Sequence, residues 1–269
     1  MIFEDAFGMK ATPFSNSIPE EYMLENEMYT ETLTRLKIAV EERMFCVLTA
    51  PSGCGKSTVL RKLRYSLNPR KTEFLYISDS QLTPRWMYNK LLEQIGCRGY
   101  FYRGDGKKAL HEKFSVLREI EKKDICCVID EAHLLSHETI EELRFFLNFN
   151  MDSHTPVSLV LSGQPELKDR LRSNIFTAIR QRVSIVCSLK PLDRIQTGKY
   201  VATHLRYSDC KEGDDLFSPE ALDIAHAWSS GVPRLINKAC TQALVRAAGL
   251  ECSHVNAQMM DDVIKTELL

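Results

Sequence analysis

Five short apolar runs constrain this chain more than any other feature. They are MFCVLT at 44–49, FLYIS at 74–78, ICCVI at 125–129, VSLVL at 157–161 and VSIVC at 183–187. Each is almost continuously apolar and rich in β-branched or aromatic residues, as strands buried on both faces of a parallel sheet must be. Helical patterns separate them. In HETIEELRFFLNFNM, for example, Ile140, Leu143, Leu147 and Met151 fall on one face. After KPLD at 190–193 the strand runs stop, and helical patterns cover about 194–207, 219–229, 234–248 and 257–268. Ser218-Pro219 and Val232-Pro233 read as helix starts, because proline at the first helical position gives up no hydrogen bond. The expected architecture is α/β: a five-stranded parallel sheet flanked by helices over residues 1–192, then a small all-helical lid domain over 193–269.

A formal net charge of −1 gives no global field toward nucleic acid or membrane, so any such contact must come from a local patch. The nine cysteines are scattered and form no C-x-x-C pair, which argues against a disulfide framework or zinc site and for a reducing cytoplasm. The acidic start, MIFEDAFGMK, does not read as a signal peptide, and no apolar run reaches the ~18 residues of a membrane span. A cytoplasmic protein without membrane contact is expected.

Between the first run and the helical STVLRKLRYSL lies TAPSGCGKST, a phosphate-binding loop of the form G-x-x-x-x-G-K-[ST] in its required strand–loop–helix context. Pro51, Ser52, Gly53, Cys54, Gly55, Lys56, Ser57 and Thr58 would surround the phosphates. Gly53 and Gly55 let backbone N–H groups turn inward. Lys56 would reach the β- and γ-phosphates, and the Ser57 hydroxyl would bind Mg²⁺. Ala50 replaces the first glycine, which is tolerable if its φ stays negative. The third run ends in Asp130 and Glu131, two carboxylates at the sheet edge where open α/β sheets bind ligands. Asp130 suits the Mg²⁺ shell and Glu131 the orientation of an attacking water. Together they point to ATP or GTP hydrolysis.

Three phosphate-loop classes compete. LSGQ at 161–164 is similar to the signature of ABC transporter ATPases, but it follows the acidic strand and lacks a glycine. DEAH at 130–133 is similar to a helicase box, but the chain has strands for only one RecA-like domain. The remaining features resemble AAA+ proteins. VSLVLSGQPEL is a strand ending in Ser162 and Gln164, where that family places sensor 1. Arg180 and Arg182 precede the last strand, the place of its arginine finger. Gly231-Val232-Pro233-Arg234 resembles the sensor 2 motif.

More narrowly, FEDAFGMKATPFS, EERMFCVLT, LRFFLNFNMDS, LSGQPELKDRL, AIRQRV and SGVPRLINKAC together resemble the ExeA-type ATPases and the related transposition ATPases of the Mu B, TnsC and TniB kind. The resemblance covers essentially the whole chain. It implies an ATPase with ATP and Mg²⁺ as cofactors, self-association into a ring or helical oligomer, and Glu131, Gln164 and Arg182 as catalytic residues with Arg234 on the nucleotide. ExeA proteins of secretion typically continue into a membrane span and a periplasmic part. No such continuation is expected here, which favours a helper that marks double-stranded DNA for a transposase. An ATP-driven assembly factor for a secretion machine, with a protein partner and no DNA, is the alternative.

The DNA candidate is CRGYFYRGDGKKALHEKF, where Arg98, Arg103, Lys107 and Lys108 stand among Tyr100, Phe101 and Tyr102. The resemblance favours phosphate tracking by Arg103, Lys107 and Lys108 over base reading. Arg85 and Trp86 form a weaker second candidate. Phe14 and Tyr22 would either wall the adenine pocket or pack.

Overall fold

The computed structural model describes residues 2–15, 18–79, 82–147, 155–210 and 213–268. The elements run α1 (Ile2–Ala6), α2 (Glu27–Glu41), β1 (Phe45–Thr49), α3 (Lys56–Ser66), β2 (Thr72–Ile77), α4 (Pro84–Gln94), α5 (Arg103–Ser115), β3 (Asp124–Ile129), α6 (His137–Glu142), α7 (Arg144–Leu147), β4 (Ser158–Gly163), α8 (Glu166–Arg172), α9 (Thr177–Arg180), β5 (Val183–Ser188), α10 (Arg194–Tyr207), α11 (Pro219–Ser229), α12 (Pro233–Gly249) and α13 (Ala257–Thr266). The five strands coincide with the five apolar runs, and the late helices start where the two X-Pro pairs stand.

Two compact units emerge. The first comprises residues 28–52 and 56–189, and the second residues 1–27, 53–55 and 190–269. The N-terminal 27 residues are thus grouped with the late helices, where the sequence reading grouped them with the sheet.

In the first unit all strands are parallel, in the order β2-β3-β4-β1-β5. The order explains how apolar each strand is. β1 and β4 are buried along their whole length, and β3 from Ile125 onward. β5 lies at an edge and alternates, leaving Val186 46% exposed. The expectation of burial on both faces therefore holds inside the sheet and fails at this edge. One core cluster joins Val47, Leu75, Ile77, Ile129, Leu159 and Leu161 of the sheet to Met87, Leu91, Leu110 and Ile140 of the helices. Removing such surface from water is worth about 25 cal/mol per Å². The Thr83 hydroxyl caps α4 by accepting from the Trp86 N–H, with Pro84 at the first helical position. Over 137–147 the helix is less regular than its periodicity predicts: Leu143 sits in a turn between α6 and α7. Ile140 and Leu143 are buried as expected; Met151 and the Leu147 side chain lie outside the described residues.

In the second unit, Asp193 and Gln196 close a reciprocal capping box on α10, and the Ser218 hydroxyl caps α11. Buried alanines (Ala221, Ala225, Ala239, Ala243 and Ala247) let α11 and α12 pack closely. Gly231 adopts φ +74°, and a Cβ there would lie 1.9 Å from the Leu192 carbonyl oxygen, so no other residue fits. None of the nine cysteines is in a disulfide. Among the described residues no helix is long and apolar enough to cross a membrane.

Candidate active site

β1 ends at Thr49 and its backbone continues into the phosphate-loop sequence. The Ala50 N–H donates to the Gly163 carbonyl at 3.1 Å. Ala50 is 1% exposed and is not among the residues with positive φ. Its Cβ is therefore accommodated without backbone strain, which answers the question posed by the missing glycine. Gly53 and Gly55 do need positive φ, at +80° and +85°. Lys56 opens α3 and is buried, and its ammonium donates to the Ala50 carbonyl at 3.2 Å. Ser57 is exposed on the first turn, and the Cys54 side chain is fully buried. Gly53 approaches Arg234 closely: the Arg234 N–H donates to the Gly53 carbonyl at 3.3 Å, and a Cβ at Gly53 would lie 2.8 Å from the Arg234 Cβ. The backbone around the predicted sensor 2 residue is thus adjacent to the loop tip.

Asp130 follows β3 and is buried. One carboxylate oxygen accepts from the Ser162 hydroxyl at 2.7 Å and from the Glu131 N–H at 2.9 Å, and the other accepts from the Tyr76 hydroxyl at 2.8 Å. Burial, and then the bond to Asp130, pushes the Tyr76 phenol above its ordinary pKa, so it stays protonated and donating. Three adjacent strands, β2, β3 and β4, thereby converge on one carboxylate. Tyr76 escaped the sequence reading because it looks like any aromatic in an apolar strand. The sequence allows either Ser162 or Gln164 as sensor 1. Here Ser162 is fully buried and donates to Asp130, while Gln164 lies just beyond the strand end and is partly exposed.

Glu131 sits in the left-handed region, at φ 51° and ψ 31°. For a residue with a Cβ this costs on the order of 1 kcal/mol, and such strain concentrates at functional positions. Its carboxylate is part-exposed. The buried, hydrogen-bonded Asp130 and the strained, part-exposed Glu131 are adjacent residues with opposite environments, which suits one to ion binding and the other to water.

Arg182 precedes the first residue of β5, and Val183 pairs with Phe45 at the start of β1. The phosphate loop leaves the other end of β1, about 17 Å away at 3.3 Å per residue. An open cavity of about 370 Å³ beside it is lined by Arg43, Phe45, Gln181, Arg182 and Ser184. Arg180, the other finger candidate, donates to the Arg172 carbonyl and to the Thr177 hydroxyl.

The basic segment is different from its sequence appearance. Arg103 starts α5 and pairs with Glu138 at 2.7 Å and with Glu142 at 4.0 Å. Lys107 pairs with Glu142 at 3.4 Å and lies over the Phe145 ring at 2.9 Å from its centroid. Lys108 is 79% exposed, with Glu112 at 3.9 Å. Tyr100 packs against the core and is clamped by the Asn89 amide. Phe101 and Tyr102 are 73% and 69% exposed. The Arg85 guanidinium lies 5.3 Å from the Trp86 ring and 5.1 Å from the Phe101 ring. Phe14 and Tyr22 both contact α10. Phe14 stacks on His204 at 5.2 Å, its N–H donating to His204 Nδ1 at 3.0 Å, and Tyr22 leans on Tyr207.

The donor set fits a magnesium nucleotide. Gly53 and Gly55 turn the loop through positive φ and add no side chain there, Lys56 has a backbone carbonyl partner that a phosphate oxygen could replace, and Asp130 is a fixed carboxylate. Residues 39–171 match the family model described as AAA domain. The General secretion pathway protein A of Aeromonas hydrophila is 32% identical over 253 residues, covering 91% of this chain and 45% of the relative. The chain therefore spans under half of that relative's length. Among solved structures, Cdc6p of Pyrobaculum aerophilum superimposes with a TM-score of 0.72 at 18% identity, over 90% of this chain and 67% of that one. A structure of Drosophila ORC bound to DNA gives 0.71 at 14% identity, over 98% and 65%. At these identities the two structures speak to the fold alone. Loop, acidic strand end, parallel strand order and C-terminal helices agree: the chain carries an AAA domain on an AAA+ P-loop fold.

Proposed function

We propose that this chain binds ATP with Mg²⁺ and hydrolyses it as an oligomer, each active site being completed by Arg182 of a neighbouring copy. The observation that carries the reading is the corner where Tyr76 and Ser162 hold Asp130 inward and leave Glu131 turned outward. Ser57 and Asp130 would hold the ion, which when bound neutralises charge on the phosphate oxygens. Lys56 exchanges the Ala50 carbonyl for phosphate oxygens. Glu131 orients the attacking water, and Gln164 contacts the same water and the terminal phosphate. Arg234, next to the loop tip, meets the nucleotide, and the helices from residue 193 onward act as its lid. Arg182 lies a strand's length from its own loop, so only a neighbour's guanidinium reaches the transferring phosphoryl group, where it is worth on the order of 10³–10⁵ in rate.

In this reading the protein is cytoplasmic, and the oligomer assembles on double-stranded DNA as a target-selection helper for a transposase. The motif resemblance supports that role. A second reading, an ATP-driven assembly factor for a secretion machine, is favoured by the name of the Aeromonas relative and by the ion pairs that occupy Arg103 and Lys107.

Subunit mixing tests the shared site. Arg182→Ala and Lys56→Ala proteins should each be inactive, and a mixture shown to co-assemble should regain part of the turnover. No rescue in the mixture, or a monomer turning over at full rate, sinks the shared site. Electron microscopy with ATP, with and without duplex DNA, separates the two roles: DNA-templated rings or filaments favour the first, and DNA-independent rings the second.

A further inference from the structure

The histidine that ends the DEAH run has no part in the chemistry above, yet it lies where two strand ends meet. The turn Ala132–Leu134 follows Glu131, and the Arg170 guanidinium pins it by donating to the His133 carbonyl and, at 2.6 Å, to the Leu135 carbonyl. The His133 ring faces the end of β4. The Gln164 N–H donates to His133 Nδ1 at 3.4 Å. Gly163 makes this approach possible: a Cβ there would lie 3.1 Å from the His133 backbone nitrogen and 3.4 Å from Nδ1. The same Nδ1 lies 3.6 Å from a Glu131 carboxylate oxygen.

One ring nitrogen cannot serve both neighbours. If Nδ1 accepts from the Gln164 N–H, its lone pair is in use, the ring proton sits on Nε2, and Glu131 meets an acceptor. No hydrogen bond then ties the carboxylate down. If Nδ1 carried the proton, it would donate to Glu131 and leave the Gln164 N–H without that acceptor. The first arrangement accounts for the 3.6 Å separation, which is long for a charge-assisted bond.

We propose that His133 is a positioning residue for hydrolysis: as the Nε2–H tautomer it ties the Gln164 turn to the acidic turn and keeps Glu131 unclaimed for water. This rests on the reading of Glu131 as the water-orienting carboxylate. His133 touches neither nucleotide nor water and acts through its two neighbours.

The test uses the full chain and two replacements that differ in where the acceptor falls. His133→Asn places an amide oxygen where Nδ1 was; His133→Gln places it one bond further out, near the Nε2 position. The expectation is ATP affinity within about 3-fold of the parent for both. The turnover number should stay within about 3-fold for His133→Asn and fall about 10-fold or more for His133→Gln, since each lost 1.4 kcal/mol is a factor of ten. Equal impairment of both variants, equal activity of both, or a loss of ATP binding that parallels turnover overturns the proposal. A readout independent of turnover is the ring ¹⁵N spectrum of histidine-labelled protein, with the His133 signals identified by their loss in His133→Asn. A proton on Nε2 supports the proposal, and one on Nδ1 overturns it. If the parent binds ATP without hydrolysing it, the hydrolytic reading fails, and the ring spectrum still decides which neighbour His133 serves.

Discussion

The acidic corner at the end of β3 and the basic helix α5 both looked functional in sequence, and the structure treats them differently. At the corner, each partner serves to aim a carboxylate: Tyr76 and Ser162 donate to Asp130, and Glu131 is left turned toward solvent. At α5 the partners do the opposite. Glu138 and Glu142, more than thirty residues later, occupy Arg103 and Lys107. A motif of fixed spacing carries its geometry within itself. A cluster of charges does not, because its counter-ions come from elsewhere in the chain.

The sharpest way to break this contrast is Glu131→Gln, which keeps the shape and removes the carboxylate charge. Turnover should fall on the order of 10²–10⁴-fold with ATP binding retained. Normal turnover, measured by phosphate release, would return the corner to a merely structural role. Next comes acid. His204, partner of Phe14, is another polar group fixed by a residue distant in sequence, and burial lowers its pKa from 6.5 to about 4. The unfolded chain therefore takes up a proton between these values and the folded chain does not. Stability is full above pH 6.5 and falls as pH drops toward 4, by roughly 3 kcal/mol. Urea titrations across that window should show the loss in the parent and a smaller one in His204→Leu.

Glu142→Ala probes α5 itself. It strips an acceptor from the buried Tyr88 hydroxyl, 2.7 Å away, and a partner from Lys107. The cost should be about 2–3 kcal/mol in denaturant midpoint analysis. Glu138→Gln is milder, and it should raise DNA affinity if Arg103 then becomes available to phosphates; unchanged affinity would assign α5 to architecture. The smallest effect is expected for Ala50→Gly, within about 0.5–1 kcal/mol in stability and about 2-fold in ATP affinity, because Ala50 already has an allowed backbone.

Strands and late helices were legible because burial imposes period and composition directly: the apolar runs at 44–49 and 125–129 could hardly lie elsewhere. The turning backbone at Gly53 and Gly55 and the placement of Asp130 and Glu131 at the end of β3 were legible because a motif of fixed spacing in a strand–loop–helix context implies both. Tyr76 and His133 were not. Their roles depend on which strand ends become neighbours, and strand order is not written in any single run. The half-exposed β5 was misread for the same reason, since an edge position follows only from the complete sheet. The grouping of residues 1–27 with the late helices is equally non-local: it depends on pairings such as Phe14 with His204, 190 residues apart.

The three-way hold on Asp130 also has a kinetic side. Both of its oxygens have donors before any ion arrives, so the carboxylate does not have to be frozen out of several rotamers at the moment of binding. That ordering, on the order of 1 kcal/mol for a side chain of this size, is settled when the chain folds. On the proposed function, an incoming cation would meet a ligand already stationary, and successive turnover cycles would exchange nucleotide without rebuilding the corner each time.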